Sequence, residues 1–189
     1  MNRLARTVLG GMVVTIGLAV GTAQANIVTN GSFETGDFTG WTLTGNTGFM
    51  GVECPGVGFA GPGDGACDAF AGPVGSNGTL SQTLATLPGR LYSINFDFQP
   101  DGGNPSFFSA TFGGLPPLLS LTNPAASAYQ VLHFVGLATA ASTTLSFNFR
   151  DDPGFLKLDS VNVQVPEPGT MALLGIAMTG LLLRRRKTL

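Results

Sequence analysis

The chain has 189 residues, of which 43% are hydrophobic and 11% charged, and its formal net charge is −2 at neutral pH. Most of its basic residues lie near the two ends, and between Asn26 and Val165 three basic residues stand against ten carboxylates, a formal charge of −7. A field of this sign repels polyanions, which excludes nucleic acid as a partner of this region and leaves cations and neutral glycans compatible with it.

The first 25 residues have the organisation of a signal peptide. Arg3 and Arg6 precede an apolar segment over residues 8–20, and small residues follow at the positions that a signal peptidase accepts. We therefore predict a signal-peptide helix over residues 1–25, cleaved by signal peptidase between Ala25 and Asn26. The alternative is an uncleaved N-terminal anchor, for which the apolar segment is short.

Residues 26–165 are enough for one domain that buries its own core. Its two cysteines, Cys54 and Cys67, have 12 residues between them, in a segment rich in glycine and proline. In the oxidising compartment of an exported protein such cysteines usually pair, and closing a loop of this size is worth about 3 kcal/mol. We predict a disulfide. A reactive thiol or metal pair would need a nearby histidine or a C-x-x-C spacing, and the segment has neither.

Strands are indicated by period-two alternation. Between residues 91 and 98 aromatic and aliphatic residues alternate with polar ones, which is the pattern of a half-buried strand. Glycine-, proline- and aspartate-rich clusters separate the candidates, and no segment within residues 26–165 has an uninterrupted helical stripe of ten or more residues. Many short strands in one exported domain predict an all-β, antiparallel β-sandwich or jelly roll. The predicted strands cover residues 79–84, 91–98, 108–112, 130–137, 145–150 and 156–165.

The last predicted strand changes phase. Leu156 and Leu158 have one parity, whereas the valines from Val161 onward have the other, so that the apolar face slips at Asp159 and Ser160. A slip of one residue is the effect of a β-bulge, which re-aims side chains, and it makes Asp159 a candidate for a carboxylate held by the fold. The alternative is an edge strand with both faces partly exposed.

Three segments carry a resemblance to known proteins: IVTNGSFETGDFTGW over residues 27–41, TLPGRLY over 86–92 and LDSV over 158–161. Together they resemble galactose-binding-like jelly rolls, a group that includes several carbohydrate-binding modules. The resemblance implies that Glu34 and Asp159 coordinate a structural Ca²⁺ with backbone carbonyls, and Ca²⁺ takes six to eight oxygen ligands. Many relatives have a second aspartate where this chain has Ser160. The alternative is that both carboxylates accept backbone N–H bonds in their own turns.

The C-terminal residues 166–189 form a separate segment. Pro166, Glu167 and Pro168 are followed by an apolar run over residues 171–183 and then by Arg184, Arg185, Arg186 and Lys187. As a helix the run would span about 20 Å, which is short of the roughly 30 Å hydrocarbon core of a bilayer. It could still insert if the bilayer thins and the arginines extend to the headgroups on the cytoplasmic side.

This order of features resembles the PEP-CTERM sorting tail of exported Gram-negative bacterial proteins. The resemblance implies recognition by the exosortase, a membrane protease-transpeptidase. It also implies transient insertion of the short C-terminal helix into the inner membrane, and then delivery to the cell surface or extracellular matrix, often alongside exopolysaccharide production. The alternative is an ordinary hydrophobic tail anchor.

Catalytic signatures are sparse. His133 is the single histidine, and no serine lies in a G-x-S-x-G elbow. Paired carboxylates such as Asp151 and Asp152 are the remaining option, but acids next to a Pro-Gly turn usually bond local backbone N–H groups. We therefore predict a non-enzyme with an adhesive, structural or glycan-binding role in a surface or biofilm matrix. A secreted glycan hydrolase is the alternative.

Aromatic residues that could stack on a sugar are few. Trp41 and Tyr129 are the obvious candidates outside the phenylalanines expected in the core, and the place of Trp41 in the opening motif favours a core role. The sequence alone assigns no ligand-binding residue.

Overall fold

The computed structural model describes residues 25–54, 63–114 and 116–166. The predicted signal-peptide helix and the predicted C-terminal helix lie outside these ranges. None of the described ranges contains a helix long and apolar enough to cross a bilayer. The strands are β1 (Thr42–Gly45), β2 (Met50–Glu53), β3 (Asp68–Ala71), β4 (Gly78–Ala85), β5 (Leu91–Gln99), β6 (Ser106–Phe112), β7 (Leu119–Thr122), β8 (Gln130–Leu137), β9 (Ser142–Asp151) and β10 (Leu156–Gln164).

The strands form two antiparallel five-stranded sheets. The first has the order β1-β4-β9-β6-β7 and the second the order β2-β3-β10-β5-β8. The predicted β-sandwich is confirmed, and each of the six predicted strands is present, with β8 at the predicted bounds. The four strands that sequence periodicity missed, β1, β2, β3 and β7, have four residues each. Such short strands offer only two residues per face, too few for alternation to be detected.

Phenylalanines from both sheets form the centre of the core. Phe96 on β5, Phe108 on β6 and Phe147 on β9 are fully buried. The ring centroids of Phe96 and Phe147 are 5.1 Å apart, and those of Phe108 and Phe147 are 6.2 Å apart. Burying each such side chain contributes about 1.5–3 kcal/mol. The alternation that predicted the strands therefore also predicted which face packs inward.

The opening segment, residues 26–41, is hydrogen-bonded to β10, the last strand of the sandwich. The backbone N–H of Val161 donates to the carbonyl of Gly31 at 2.8 Å, and that of Ile27 donates to the carbonyl of Val163 at 2.9 Å. Trp41 is 8% exposed, and its Nε1 donates to the carbonyl of Asn30 at 3.0 Å. The expectation that Trp41 belongs to the core is correct.

The phase slip in β10 is a β-bulge. Asp159 pairs with Asp97, but Asn162 pairs with Asn95, so β10 contains one residue more than β5 between these pairs. Ser160 has a φ of 52°, in the left-handed region. Leu158 and the residue after the bulge, Val161, are therefore both buried although their parities differ. The alternative of an edge strand is wrong, because β10 is the middle strand of its sheet.

Candidate functional site

The second sheet carries buried charges on the face turned away from the hydrophobic core. Asp68 on β3, Asp97 on β5, and Lys157 and Asp159 on β10 alternate with core residues and are each at most 9% exposed. We call these four residues the charged layer. Loop residues cover it: a Cβ placed on Gly63 would lie 2.6 Å from the Oδ2 of Asp97. At the charged layer the polar face of this sheet is therefore an interior, where charges are more costly and interact more strongly than at a surface.

A disulfide joins the two ends of the segment between β2 and β3, of which the structure describes residue 54 and residues 63–67. Cys54 and Cys67 are bonded to each other, which confirms the predicted pairing. Cys54 follows β2 and Cys67 precedes β3, and these two strands are neighbours in the second sheet. The bond therefore links the end of β2 to the start of β3 and holds the described residues 63–67 close to this sheet.

Lys157 is the cation of the charged layer. Its Nζ donates to Oδ2 of Asp68 at 3.2 Å and to Oε1 of Glu53. The hydroxyl of Tyr129 donates to the same Asp68 oxygen at 2.8 Å. Burial raises the pKa of Asp68, while the bonds from Tyr129 and Lys157 oppose that rise. Tyr129 is one of the two aromatic residues that the sequence offers for stacking on a sugar. Its hydroxyl is bound to a buried carboxylate.

The structure brings Glu34 and Asp159, the predicted calcium ligands, to one short segment of this loop. Oε1 of Glu34 accepts the backbone N–H groups of Ala66 at 2.7 Å and Cys67 at 2.9 Å. Oδ2 of Asp159 accepts the N–H of Asp64 at 2.9 Å. Burial raises the pKa of Asp159 to about 7, and the backbone N–H bonds oppose that rise. Oδ1 of Asp159 accepts the N–H of Ser160 at 2.7 Å. Backbone bonding, the alternative to calcium, therefore accounts for one oxygen of Glu34 and for both oxygens of Asp159.

The surroundings of Asp159 suit an oxygen-binding cation by donor type. A polar pocket of about 360 Å³ lies between the opening segment and the bulge, with Asp64, Ser160 and Asn162 in its wall, but neither Glu34 nor Asp159 lines it. The Oγ of Ser160 and the Oδ1 of Asn162 are buried and have no hydrogen-bond partner. No group of three His, Cys, Asp or Glu residues within the described ranges could hold a metal ion. A calcium ion here would therefore rely on neutral oxygens as well as carboxylates, which is a mixture that Ca²⁺ accepts.

A groove lies where β5 ends and β10 begins, at the edge of the charged layer. Its volume is about 340 Å³. Phe155 is 39% exposed and packs edge-to-face against Phe70, with ring centroids 5.4 Å apart. An apolar wall with a few convergent polar groups is the usual composition of a small-ligand site. The lining residues are Gln99, Pro100, Asp101, Ala126, Ser127, Phe155 and Lys157.

Sequence reasoning missed this groove because three separate loops form it. Phe155 directly follows the Pro-Gly turn after β9. An apolar aromatic residue next to a turn is the one feature of the sequence that points to this groove. Within the groove an aromatic ring lies near amide, carboxylate, hydroxyl and ammonium groups. A sugar presents C–H faces to rings and hydroxyls to polar groups, so this combination can bind a glycan.

The predicted catalytic alternatives do not come together. His133 lies on the exposed side of β8, where its Nδ1 is 2.7 Å from Oδ1 of Asn95. Asp152 forms a salt bridge with Arg150 at 2.6 Å and accepts the N–H of Gly75 at 3.0 Å. Asp151 is fully buried, and neither of its carboxylate oxygens has a hydrogen-bond partner. The expectation that Asp151 bonds a local N–H group is therefore wrong, and the two acids do not face each other across a cleft.

The comparisons with known proteins concern the tail and the sandwich separately. Residues 164–187 match the PEP-CTERM protein-sorting motif. No curated protein matches the chain in sequence. Among solved structures, TmCBM61 in complex with β-1,4-galactotriose is similar in fold, with a TM-score of 0.62 and 15% identity. The match covers 75% of this chain and 99% of that one.

Two further structures show the same fold. The CBM22-1 xylan-binding domain of Xyn10C from Paenibacillus barcinonensis has a TM-score of 0.51 and 17% identity, over 78% of this chain and 100% of that one. The enzymatically active domain of tailspike protein 4 of bacteriophage CBA120 has a TM-score of 0.57 and 18% identity. That match covers 75% of this chain but only 21% of the tailspike domain. The chain thus carries a PEP-CTERM sorting motif that follows, in sequence, a β-sandwich similar in fold to carbohydrate-binding modules.

Proposed function

We propose that this protein is an exported, non-catalytic glycan-binding protein whose PEP-CTERM tail directs it to the cell surface or extracellular matrix. The observation that carries the glycan-binding role is the groove beside Phe155, in a sandwich whose structural neighbours are carbohydrate-binding modules. An exopolysaccharide of the matrix is the ligand class that fits an acidic domain, because neutral sugars experience no repulsion from its charge.

The groove favours binding over hydrolysis. Among the described residues that line it, Asp101 is the one carboxylate, and Lys157 is the one cation. A glycosidase requires two carboxylic groups on opposite sides of the scissile bond. Phe155 supplies a partly exposed ring at its wall, and Gln99 and Ser127 supply neutral polar side chains. Such groups bind and orient a sugar without providing an acid and a base.

A glycan array with the purified full chain tests this function. The Phe155→Ala variant should lose at least about tenfold in affinity for whichever glycan binds, since the ring supplies most of the exposed aromatic surface of the groove. Leu137→Ala is the control, because Leu137 is 53% exposed and lies at the opposite end of β8 from the groove. Binding to no glycan, or equal binding by both variants, would reject this site.

The tail has its own experiment. We expect the exosortase to recognise Pro166, Glu167 and Pro168 after transient insertion of residues 171–183 in the inner membrane. Protein recovered from the cell surface or medium should then lack Arg184 to Leu189 by mass spectrometry. An intact C-terminus on that protein would instead support a retained tail anchor.

A structural Ca²⁺ at Glu34 and Asp159 is part of the proposal. It would join the opening segment to the middle strand of the second sheet through the loop that both carboxylates already contact. Thermal unfolding of the full chain with calcium and with EGTA tests it. The Asp159→Asn variant should lose part of the calcium-induced rise in Tm, and an unchanged rise would argue against an ion at this place.

A further inference from the structure

Asp151 is a buried acid that neither the groove nor the predicted calcium site explains. It ends β9, is 0% exposed, and has no hydrogen-bond partner on either carboxylate oxygen. A buried charge without a partner costs several kcal/mol, so folded proteins supply such a group with a proton, a counter-ion or a metal ion. The surroundings of Asp151 indicate which of these it receives.

A second carboxylate contacts Asp151. The side chain of Asp101 lies within hydrogen-bonding reach of Asp151, a contact between two acceptors unless one of them is protonated. Asp101 is held in place, because its Oδ1 accepts the N–H of Gly103 at 2.9 Å and its Oδ2 accepts the N–H of Phe155 at 2.8 Å. The two acids thus converge where the loops after β5 and β9 meet.

Two glycines leave room for this convergence. A Cβ on Gly103 would lie 1.8 Å from Oδ1 of Asp151, and a Cβ on Gly154 would lie 1.9 Å from Oδ2 of Asp101. Any side chain at these two positions would therefore occupy space beside the carboxylates. The backbone is shaped around an acid pair, not around one acid and its hydrogen-bond donor.

The basic residues near this pair are bound elsewhere. Arg150 forms its salt bridge with Asp152, and Lys157 donates to Asp68 and Glu53. Burial, contact with Asp101 and the charges of Asp101 and Asp152 raise the pKa of Asp151 to about 7. Two ways of neutralising the pair remain, which are a proton shared between the carboxyl groups and a positive charge from the medium.

We infer that Asp101 and Asp151 bind a divalent cation of the calcium class, at a site that shares no residue with Glu34 and Asp159. All donors at the pair are carboxylate oxygens, and hard cations such as Ca²⁺ prefer oxygen to nitrogen or sulfur. Asp101 and Phe155 also line the groove, so a bound ion would lie at its margin. This inference concerns the ion alone and does not depend on whether the groove binds a glycan.

The Asp151→Asn variant of the full chain tests the inference, because its Tm relative to that of the wild type should depend on whether calcium is present. In EGTA it should be at least as stable as the wild type, because the amide removes a buried like charge. At a free calcium concentration near one hundred times Kd, the wild type should gain about 5–10 °C in Tm from this site. The variant should lack this gain and unfold at a lower temperature than the wild type.

Calcium stoichiometry provides the second measurement. Titration calorimetry should show that Asp151→Asn and Asp101→Asn each lose one bound Ca²⁺, whereas Asp37→Asn, a change of an exposed acid, loses none. Asp159→Asn reports separately on the other predicted ion. If Asp151→Asn keeps the wild-type stoichiometry, or exceeds the wild type in Tm both with EGTA and with calcium, the pair shares a proton and the inference is wrong. A wild-type protein that binds no calcium also overturns it.

Discussion

Replacing Lys157 with methionine removes the cation of the charged layer while keeping most of its side-chain volume. In the wild type, Nζ of Lys157 bonds both Asp68 and Glu53. The Asp68 side chain is 1% exposed, whereas that of Glu53 is 31% exposed. The loss therefore falls mainly on Asp68, because Glu53 can be solvated by water and Asp68 cannot.

The expected loss follows from the rule that removing one partner of a buried ion pair costs about 3–5 kcal/mol. Tyr129 still donates to Asp68 in the variant, so we expect a value near the lower end, about 3 kcal/mol. A domain of this size is stable by about 5–15 kcal/mol, so urea denaturation resolves such a change. Glu53→Gln, which breaks the more exposed bond, should cost less than about 1 kcal/mol.

Two further measurements distinguish a charge effect from lost packing. The pKa of Asp68 is already raised by burial, and loss of Lys157 raises it further. A raised folded-state pKa gives stability that is present below the unfolded value and is lost as pH rises through the folded value. The deficit of Lys157→Met should therefore shrink on approaching about pH 4. Adding Asp68→Asn should restore much of the stability. An equal deficit at all pH values, or no restoration, would refute the electrostatic explanation.

Four further substitutions have expected effects on the free energy of unfolding that the same urea assay can measure. Cys67→Ser should lower the free energy of unfolding by about 3 kcal/mol, and dithiothreitol should then have no further effect. Trp41→Ala should cost about 3–5 kcal/mol yet leave the glycan-array profile unchanged, because the side chain is 8% exposed. Gly31→Ala should be far more destabilising than Gly48→Ala, since its Cβ would lie 2.0 Å from the carbonyl oxygen of Val161. Equal effects of the two alanines would contradict that geometry.

The sequence predicts the parts of the fold that local periodicity encodes. Alternation along β5 and β9 reveals both the strands and the phenylalanines that fill the core. The same reasoning predicts the bulge in β10, because a change of parity within one strand is a local feature. Strand order in the sheets is not local, which is why β10 could be taken for an edge strand although it lies in the middle.

The candidate sites depend on contacts between distant segments, and the sequence predicts them less well. The bulge makes Asp159 a candidate from sequence alone, but its bond to Asp64 spans 95 residues and is not visible in the sequence. The turn after Asp151 was expected to supply its hydrogen bonds, and only the tertiary fold shows that Asp101 lies there instead. Phe155 becomes a groove residue through loops that the sequence cannot place relative to one another.

The buried acids of this domain differ in what neutralises them, and this difference ranks their need for an ion. Asp68 has a lysine and a tyrosine hydroxyl, and Asp159 has backbone N–H donors. Asp151 has neither, and among the described residues Lys157 is the single buried base. Because N–H bonds compensate part of the desolvation of Asp159, removing calcium should weaken the opening segment less than the junction of the loops after β5 and β9. Hydrogen exchange in EGTA should therefore rise first at the amides of Gly103 and Phe155, which Asp101 binds.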